Sequence, residues 1–353
     1  MASLCLFFMI GKNYKLYKII IFYIWIDKWY DRRKYQKRNK EENAEMATLT
    51  VSKEDEKRVK ALGFLSNKGT DDFSGRVITV NGKLTADQHI AIGEAARKFG
   101  NGNVVYTARL TVEVQGIPYE KIDAFREFIQ EAGLTTGGTG AKVRPVVSCK
   151  GTTCQYGRID TFELSEKVHK AFYEGYRPVR LPHKFKIAVG GCPNNCMKPE
   201  LNDVGVVGQL IPNFQADVCK GCKKCSVMKV CPMGAAKVVD KVLKIDKEIC
   251  SQCGRCVGNC NFDAIADGTT GYKVYIGGRW GKDISHGKPL SKIFTSQEEV
   301  LQIIEKIILF YKEQGETGER LAQTIARIGF EKVEAEILSD DILSRKDKIL
   351  SAE

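Results

Sequence analysis

Twelve of the thirteen cysteines fall between Cys149 and Cys260 in four tight groups, and this crowding constrains the fold more than any other feature. The thirteenth is Cys5. At 353 residues the chain can build two or three domains with ample core, so disulfide staples are not needed. Cysteines separated by only two to five residues suit thiolates wrapped around metal rather than a secreted scaffold. Such thiolates must stay reduced, so a cytoplasmic location is expected. Four histidines, none beside a cysteine group, argue against ligation through imidazole.

The last eight cysteines form two runs, Cys219-x2-Cys222-x2-Cys225-x5-Cys231-Pro232 and Cys250-x2-Cys253-x2-Cys256-x3-Cys260. Zinc ribbons would use two CxxC pairs per metal rather than triplets. The runs resemble a bacterial-type ferredoxin, in which the fourth cysteine of each run ligates the other cluster. That resemblance implies one [4Fe–4S] cluster on Cys219, Cys222, Cys225 and Cys260. A second would sit on Cys250, Cys253, Cys256 and Cys231. Two positions depart from the pattern: the five-residue gap before Cys231, and Asn261 where proline usually follows the last cysteine.

The flanking sequence reads as α+β. Arg76–Val80 is a short strand, and Thr85 with Gln88 forms a capping box that opens a helix. Ile92, Ala95, Ala96 and Phe99 are its apolar face, and Gly100 is its C′ residue. From Val104 to Val114 strict alternation predicts one strand, with Arg109 on its polar face. A second helix carries Ile122, Phe125, Ile129 and Ala132 and ends at Gly133. Val143–Val147 is the expected third strand. Between residues 212 and 268 the composition shifts to cysteine, glycine and lysine, which reads as an insertion. Gly271–Gly278 then resumes the host domain, followed by a helix from Gln297 to Lys312. Beyond Leu338 the chain is expected to be a charged, frayed tail.

The first four cysteines lie in Ser148-Cys-Lys-Gly-Thr-Thr-Cys154 and Gly190-Gly-Cys-Pro-Asn-Asn-Cys196. These segments resemble the paired cysteine motifs of the sulfite/nitrite reductase family, although the first pair is spaced by four residues instead of five. The resemblance implies a third [4Fe–4S] cluster on Cys149, Cys154, Cys192 and Cys196, with Cys196 bridging it to sirohaem. Lys184 and Lys186 are two apart on an expected strand, so both leave one face while Phe185, Ile187 and Val189 pack inward. They resemble the family's active-site lysines. Arg76 and Arg144 are similar to its arginines that contact the substrate oxyanion and the cofactor carboxylates, and Arg109 to a further arginine that contacts sirohaem. A doubly charged oxyanion beside a polycarboxylate haem needs several such cations.

The resemblance extends from about residue 60 to residue 338 and includes Gly315-Glu-Thr-Gly-Glu-Arg-Leu321. It is similar to the one-repeat branch typified by the C subunit of anaerobic sulfite reductase. The implied architecture is a ferredoxin-like sulfite reductase repeat plus a sirohaem domain, with an inserted two-cluster bacterial ferredoxin domain. Its expected parts are residues 46–142, then 143–211 with 269–338 around the insertion at 212–268, and a tail at 339–353. The implied function is reduction of sulfite to sulfide, with electrons relayed through the inserted clusters. Nitrite reduction to ammonia and pure electron transfer without sirohaem are the alternatives. Gly137-Gly-Thr-Gly140 is too short for a nucleotide loop, so electron-donor subunits or a ferredoxin are expected partners, and a homodimer is a further expectation.

The formal charge of +12 does not indicate nucleic acid. Residues 1–45 hold ten Lys/Arg against five Asp/Glu, which leaves +7 for the rest. Each oxidised cubane with its thiolates offsets about two of these charges. No basic-aromatic stripe accompanies them. The leader's apolar run, Leu16–Ile26, contains Lys18 and is short for a membrane span. Met46 is a candidate start, with a weak membrane anchor as the lesser reading.

Overall fold

A computed structural model describes residues 51–352. The leader at 1–45 lies outside the described residues. Helix α1 (Lys53–Ala61) opens at Ser52, whose hydroxyl accepts the Asp55 N–H. Strands β1 (Phe64–Ser66) and β2 (Phe73–Ile78) are followed by helix α2 (Ala86–Phe99). The expected capping box is present. Thr85 Oγ1 accepts the Gln88 N–H at 3.2 Å, and the Thr85 N–H donates to Gln88 Oε1 at 3.1 Å. Gly100 follows the helix with extended φ of −114°, not as the left-handed C′ residue expected; Gly102, at φ +84°, takes that conformation.

The region from Val104 to Val114 is a hairpin rather than one strand. Strand β3 (Val104–Tyr106) turns back into β4 (Val112–Ile117), with Val104 opposite Val114. Leu110 adopts φ +58°, and the Thr107 N–H closes the turn on the Thr111 carbonyl at 2.9 Å. Opposed residues of an antiparallel pair share a sheet face, so the alternation survives the turn and hides it. Arg109 therefore sits at a hairpin tip and not on the sheet face. Helix α3 (Ile122–Glu131) and strand β5 (Thr135–Thr136) complete this layer, and Gly133 at φ +70° ends the helix. The sheet runs β1-β2-β4-β3, with β5 on β2, all antiparallel. Phe125 packs edge-on against Phe64 and Phe99 beneath it.

The expected third strand belongs to a different sheet. Strand β6 is only Val147–Ser148, and Val143 forms a bridge to Phe185. After helix α4 (Thr161–Val168), β6 pairs in parallel with β7 (Ile187–Gly190), which pairs in parallel with β8 (Val204–Pro212). Next come a small helix α5 (Ser226–Val230) and a hairpin of β9 (Ala236–Val239) and β10 (Val242–Ile245). Strands β11 (Gly268–Ile276) and β12 (Lys288–Phe294) finish the second sheet, in the order β12-β11-β8-β7-β6.

The β8–β11 pairing begins with Gly268 opposite Pro212. Residues 213–267 therefore leave and re-enter through one rung of an antiparallel ladder, so the sheet tolerates them without a break. They carry their own small core of Val227, Ala236, Leu243 and Ile265.

Helix α6 (Gln297–Gln314) lies on the second sheet and buries Val300, Ile304, Ile308 and Tyr311, with Leu301 only partly buried beside them. Helices α7 (Leu321–Ile328) and α8 (Phe330–Leu338) pack beside it. The tail is not frayed. Helices α9 (Asp341–Ser344) and α10 (Lys346–Ser351) bury Ile342 and Ile349 in the main core, which outweighs the surrounding charge. Among the described residues, no helix is long and apolar enough to cross a membrane.

Candidate active site

The first four cysteines meet beyond the ends of two parallel strands. Cys149 follows β6, and Cys192 follows β7 by two residues. The Cys149 N–H donates to the Val189 carbonyl, and the Gly191 N–H donates to Cys149 Sγ at 3.1 Å. Two glycines allow this approach. A Cβ on Gly151 would lie 2.9 Å from Gly191 Cα, and one on Gly191 would lie 2.8 Å from Gly151 Cα. The Cys192 thiol is raised by burial, and Cys149, Cys196 and Cys154 raise it further, so the other three cysteines lie near it.

In the insertion, burial pushes the Cys256 thiol up to about 11, with Cys250, Cys253 and Cys231 adding to the rise. The same four line one hollow, together with Pro232, Gln252 and Arg255. This is the crossed set implied by the ferredoxin resemblance. Burial also raises Cys231, but N–H groups of Met233, Ala236, Ala235 and Gly234 outweigh it and hold the thiol below its ordinary value. Of the other set, Cys219, Cys225 and Cys260 border the small core, and Ser226 Oγ donates to the Asn259 carbonyl, tying the two runs together. All twelve described cysteines are free thiols. Among the described residues, no three ligating side chains converge tightly enough for a single metal ion.

Arg158, which sequence reading did not single out, joins the two regions. Its N–H donates to the Gly191 carbonyl at 2.7 Å, and its Nε donates to the Cys253 carbonyl at 2.9 Å. The crossed set that includes Cys253 therefore abuts the Cys149–Cys196 set.

The expected basic residues lie close to one another. Arg76 donates through Nε and Nη2 to Glu113 Oε1 at 2.9 and 2.6 Å, and through Nη1 to the Gly138 carbonyl. Arg144 donates to that same carbonyl, presented by Gly138 at φ +74°. The arginines thus meet on the Gly137–Gly140 loop. Arg144 is pushed down to about 10 by burial, then by Arg76 and Arg320, and its buried Nε has no partner. Arg109 reaches from the hairpin tip to the Pro145 carbonyl and, at 2.7 Å, to Asn202 Oδ1. Burial, with Arg144 and Arg320, brings it to about 10 as well.

Lys184 and Lys186 precede β7 rather than lying in it, but the alternation holds: Phe185, Ile187 and Val189 are wholly buried. Burial lowers Lys184, assisted by Arg320 and Arg144. Lys186 falls to about 8 through burial, Arg109, Arg320 and Lys184, with Asp203 opposing. Sequence reading missed Arg320 and Asp203, a buried ion pair at 2.7 Å. Arg320 lies in a quoted motif, but Asp203 carried no local signal. Several desolvated cations stand here against one buried carboxylate, an excess of positive charge that favours anions nearby, and the Arg144 Nε is buried without a partner among the described residues.

The profile described as "Nitrite and sulphite reductase 4Fe-4S domain" matches residues 139–343. The chain belongs to this family. The companion "Nitrite/Sulfite reductase ferredoxin-like half domain" matches residues 66–132 of this nitrite and sulfite reductase family member. The Coenzyme F420-dependent sulfite reductase of Methanocaldococcus jannaschii is 32% identical over 240 residues, 67% of this chain. The chain spans only 37% of that enzyme's length. The C subunit of the anaerobic sulfite reductase of Salmonella typhimurium is 31% identical over 153 residues, 39% of this chain and 43% of that one. The crystal structure of dissimilatory sulfite reductase I has the same fold, with a TM-score of 0.61 at 21% identity over 76% of this chain and 69% of that one.

Proposed function

We propose that this chain is the catalytic component of a multi-subunit sulfite reductase. Sirohaem would be coupled through Cys196 to a [4Fe–4S] cluster on Cys149, Cys154, Cys192 and Cys196. The observation that carries the reading is the gathering of desolvated cations, Arg144 and Lys186 among them, on the segments that lead into Cys149 and Cys192. Sirohaem, when bound, supplies an iron that takes sulfite sulfur and passes electrons to it. The gathered cations fit such a group: Arg109 and the unpartnered Arg144 Nε suit its carboxylates and the oxyanion.

Six electrons and seven protons convert sulfite into hydrosulfide and three waters. Arg144 orients the substrate oxygens. Arg76 reaches them only by releasing Glu113, so it chiefly supports Arg144 through Gly138. Lys184 and Lys186 donate protons to departing oxygen, and Lys186, held near 8, can both give a proton and regain one. The two further cysteine sets of the insertion would hold relay clusters, with electrons entering at Cys219/Cys222/Cys225/Cys260. They would pass through the Cys231/Cys250/Cys253/Cys256 set, which the Arg158 contacts favour as the link to the catalytic cluster. Donor subunits or a ferredoxin would dock there in the cytoplasm, and a second copy of the chain would supply the missing repeat. Anaerobically purified protein with reduced viologen should turn sulfite into sulfide. Turnover on nitrite alone would transfer the reading to nitrite reduction, and inactivity on both would refute it.

A further inference from the structure

Asp203 and Arg320 are 117 positions apart in sequence, yet their side chains meet deep inside the protein beside Lys186. Asp203 is wholly buried and immediately precedes β8. Its Oδ2 accepts the Lys186 N–H at 2.8 Å and Arg320 Nη2 at 2.7 Å. The next residue completes the grip, since the Val204 N–H donates to the Lys186 carbonyl at 3.0 Å. Arg320 is itself fixed from the C-terminal helices. It precedes α7 and donates its N–H to Gln323 Oε1, while Tyr311 Oη holds the adjacent Glu319 carbonyl.

This is an expensive arrangement if stability were its purpose. A buried ion pair rarely stabilises a fold more than apolar residues of the same volume. Here Asp203 Oδ1 and Arg320 Nε are also buried without partners, which adds the cost of unmade hydrogen bonds. What the pair achieves is local to Lys186. We infer that Asp203 and Arg320 form a positioning device for Lys186, fixing its backbone and balancing the charge at its ammonium so that it delivers protons. The inference rests on the sulfite-reducing reading of the chain.

The charges that face Lys186 are Arg109 from the hairpin tip, Arg320 before α7, Lys184 on its own segment and Asp203 before β8. After burial, the three cations push its pKa down and Asp203 pushes it up. The Asp203 carboxyl is raised overall, because its burial outweighs Arg320 and the Lys186 N–H, which pull the other way. Arg320 keeps its proton in proteins, and its Nη2 at 2.7 Å from Asp203 Oδ2 favours the carboxylate form of Asp203. Removing Asp203's charge therefore lowers the Lys186 pKa, and removing Arg320's raises it.

The test uses Asp203→Asn, which keeps size and an acceptor, and Arg320→Gln, which keeps an amide donor. Competitive acetylation of Lys186, followed by mass spectrometry across pH, reads its protonation directly in the cofactor-free protein. Asp203→Asn should lower the midpoint by about one pH unit, and Arg320→Gln should raise it. In holoenzyme of matched iron and sirohaem content, the alkaline limb of sulfite turnover should move in the same directions. Activity near pH 6 should stay within about threefold of wild type, because Lys186 is protonated there in every variant. Unmoved midpoints, or turnover lost equally at every pH, would reduce the pair to a structural brace. Should Asp203→Asn fail to fold, an unmoved or lowered midpoint in Arg320→Gln overturns the inference by itself. Moved midpoints in a wild type without sulfite turnover would sink the sulfite reading and leave the electrostatic coupling standing. A wild type that reduces sulfite with unmoved midpoints would do the reverse.

Discussion

Gly191→Ala tests how Cys149 and Cys192 are brought together. Gly191 is buried, and its φ lies outside the left-handed region, so alanine meets no backbone strain there and only space is at issue. The new Cβ would lie 2.8 Å from Gly151 Cα, 3.2 Å from Thr161 Cγ2 and 3.4 Å from Cys149 Sγ. Ordinary carbon contacts are about 3.5–4.0 Å, and a backbone Cα cannot rotate aside. One cysteine loop must therefore move by the better part of an ångström, at about 1–3 kcal/mol for an overpacked site. That displacement falls on Cys149 and Cys192, while the insertion is built separately. Iron should fall from about thirteen to about eight per chain as one cubane and the sirohaem iron are lost together. The assay is iron content with a visible spectrum, beside a denaturant midpoint. Full iron, an intact sirohaem band and an unshifted midpoint would show that the close approach of the two glycines does not hold the cysteines together.

Phe185→Ala should cost about 3–5 kcal/mol in chemical denaturation, since the ring is wholly buried against Tyr311, and it should loosen both flanking lysines. Sulfite turnover should decline at alkaline pH as Lys186 loses its proton, at about 8 or higher once anions neighbour it. Lys186→Met should remove that limb and slow turnover by about 10²–10⁴. Cys231→Ser should weaken the cluster of the later cysteine run, so electron paramagnetic resonance should show the Cys250–Cys256 centre altered before the Cys219–Cys225 centre. Ending the chain at residue 340 should destabilise it by about 1.5–3 kcal/mol for each of Ile342 and Ile349, read from the melting transition.

Much of the site was legible because its chemistry is local in sequence. The cysteine spacings, the Lys184–Lys186 alternation and the capping box at Thr85 each depend on neighbours a few positions away. The shift in composition that set residues 212–268 apart in the sequence falls where Pro212 and Gly268 pair. The failures arose where pattern and topology separate. Period-two alternation continued through the turn at Thr107–Leu110, so a hairpin looked like one strand. Two-residue strands such as Val147–Ser148 and Thr135–Thr136 carry no periodicity from which a sheet could be assigned. Ile342 and Ile349 stand singly among charged residues, and only the tertiary core reveals their burial. The Asp203–Arg320 pair, and Arg158 reaching Cys253, join distant segments that no local pattern connects.

Cofactor content decides the catalytic assignment. One sample, purified anaerobically, should be measured for iron and for its visible spectrum. A catalytic chain should show a sirohaem band with iron sufficient for three cubanes and one haem, about thirteen atoms per chain. Broad cluster absorbance without that band, and iron for two cubanes only, would make the chain an electron carrier and contradict the role given to Cys149, Cys154, Cys192 and Cys196.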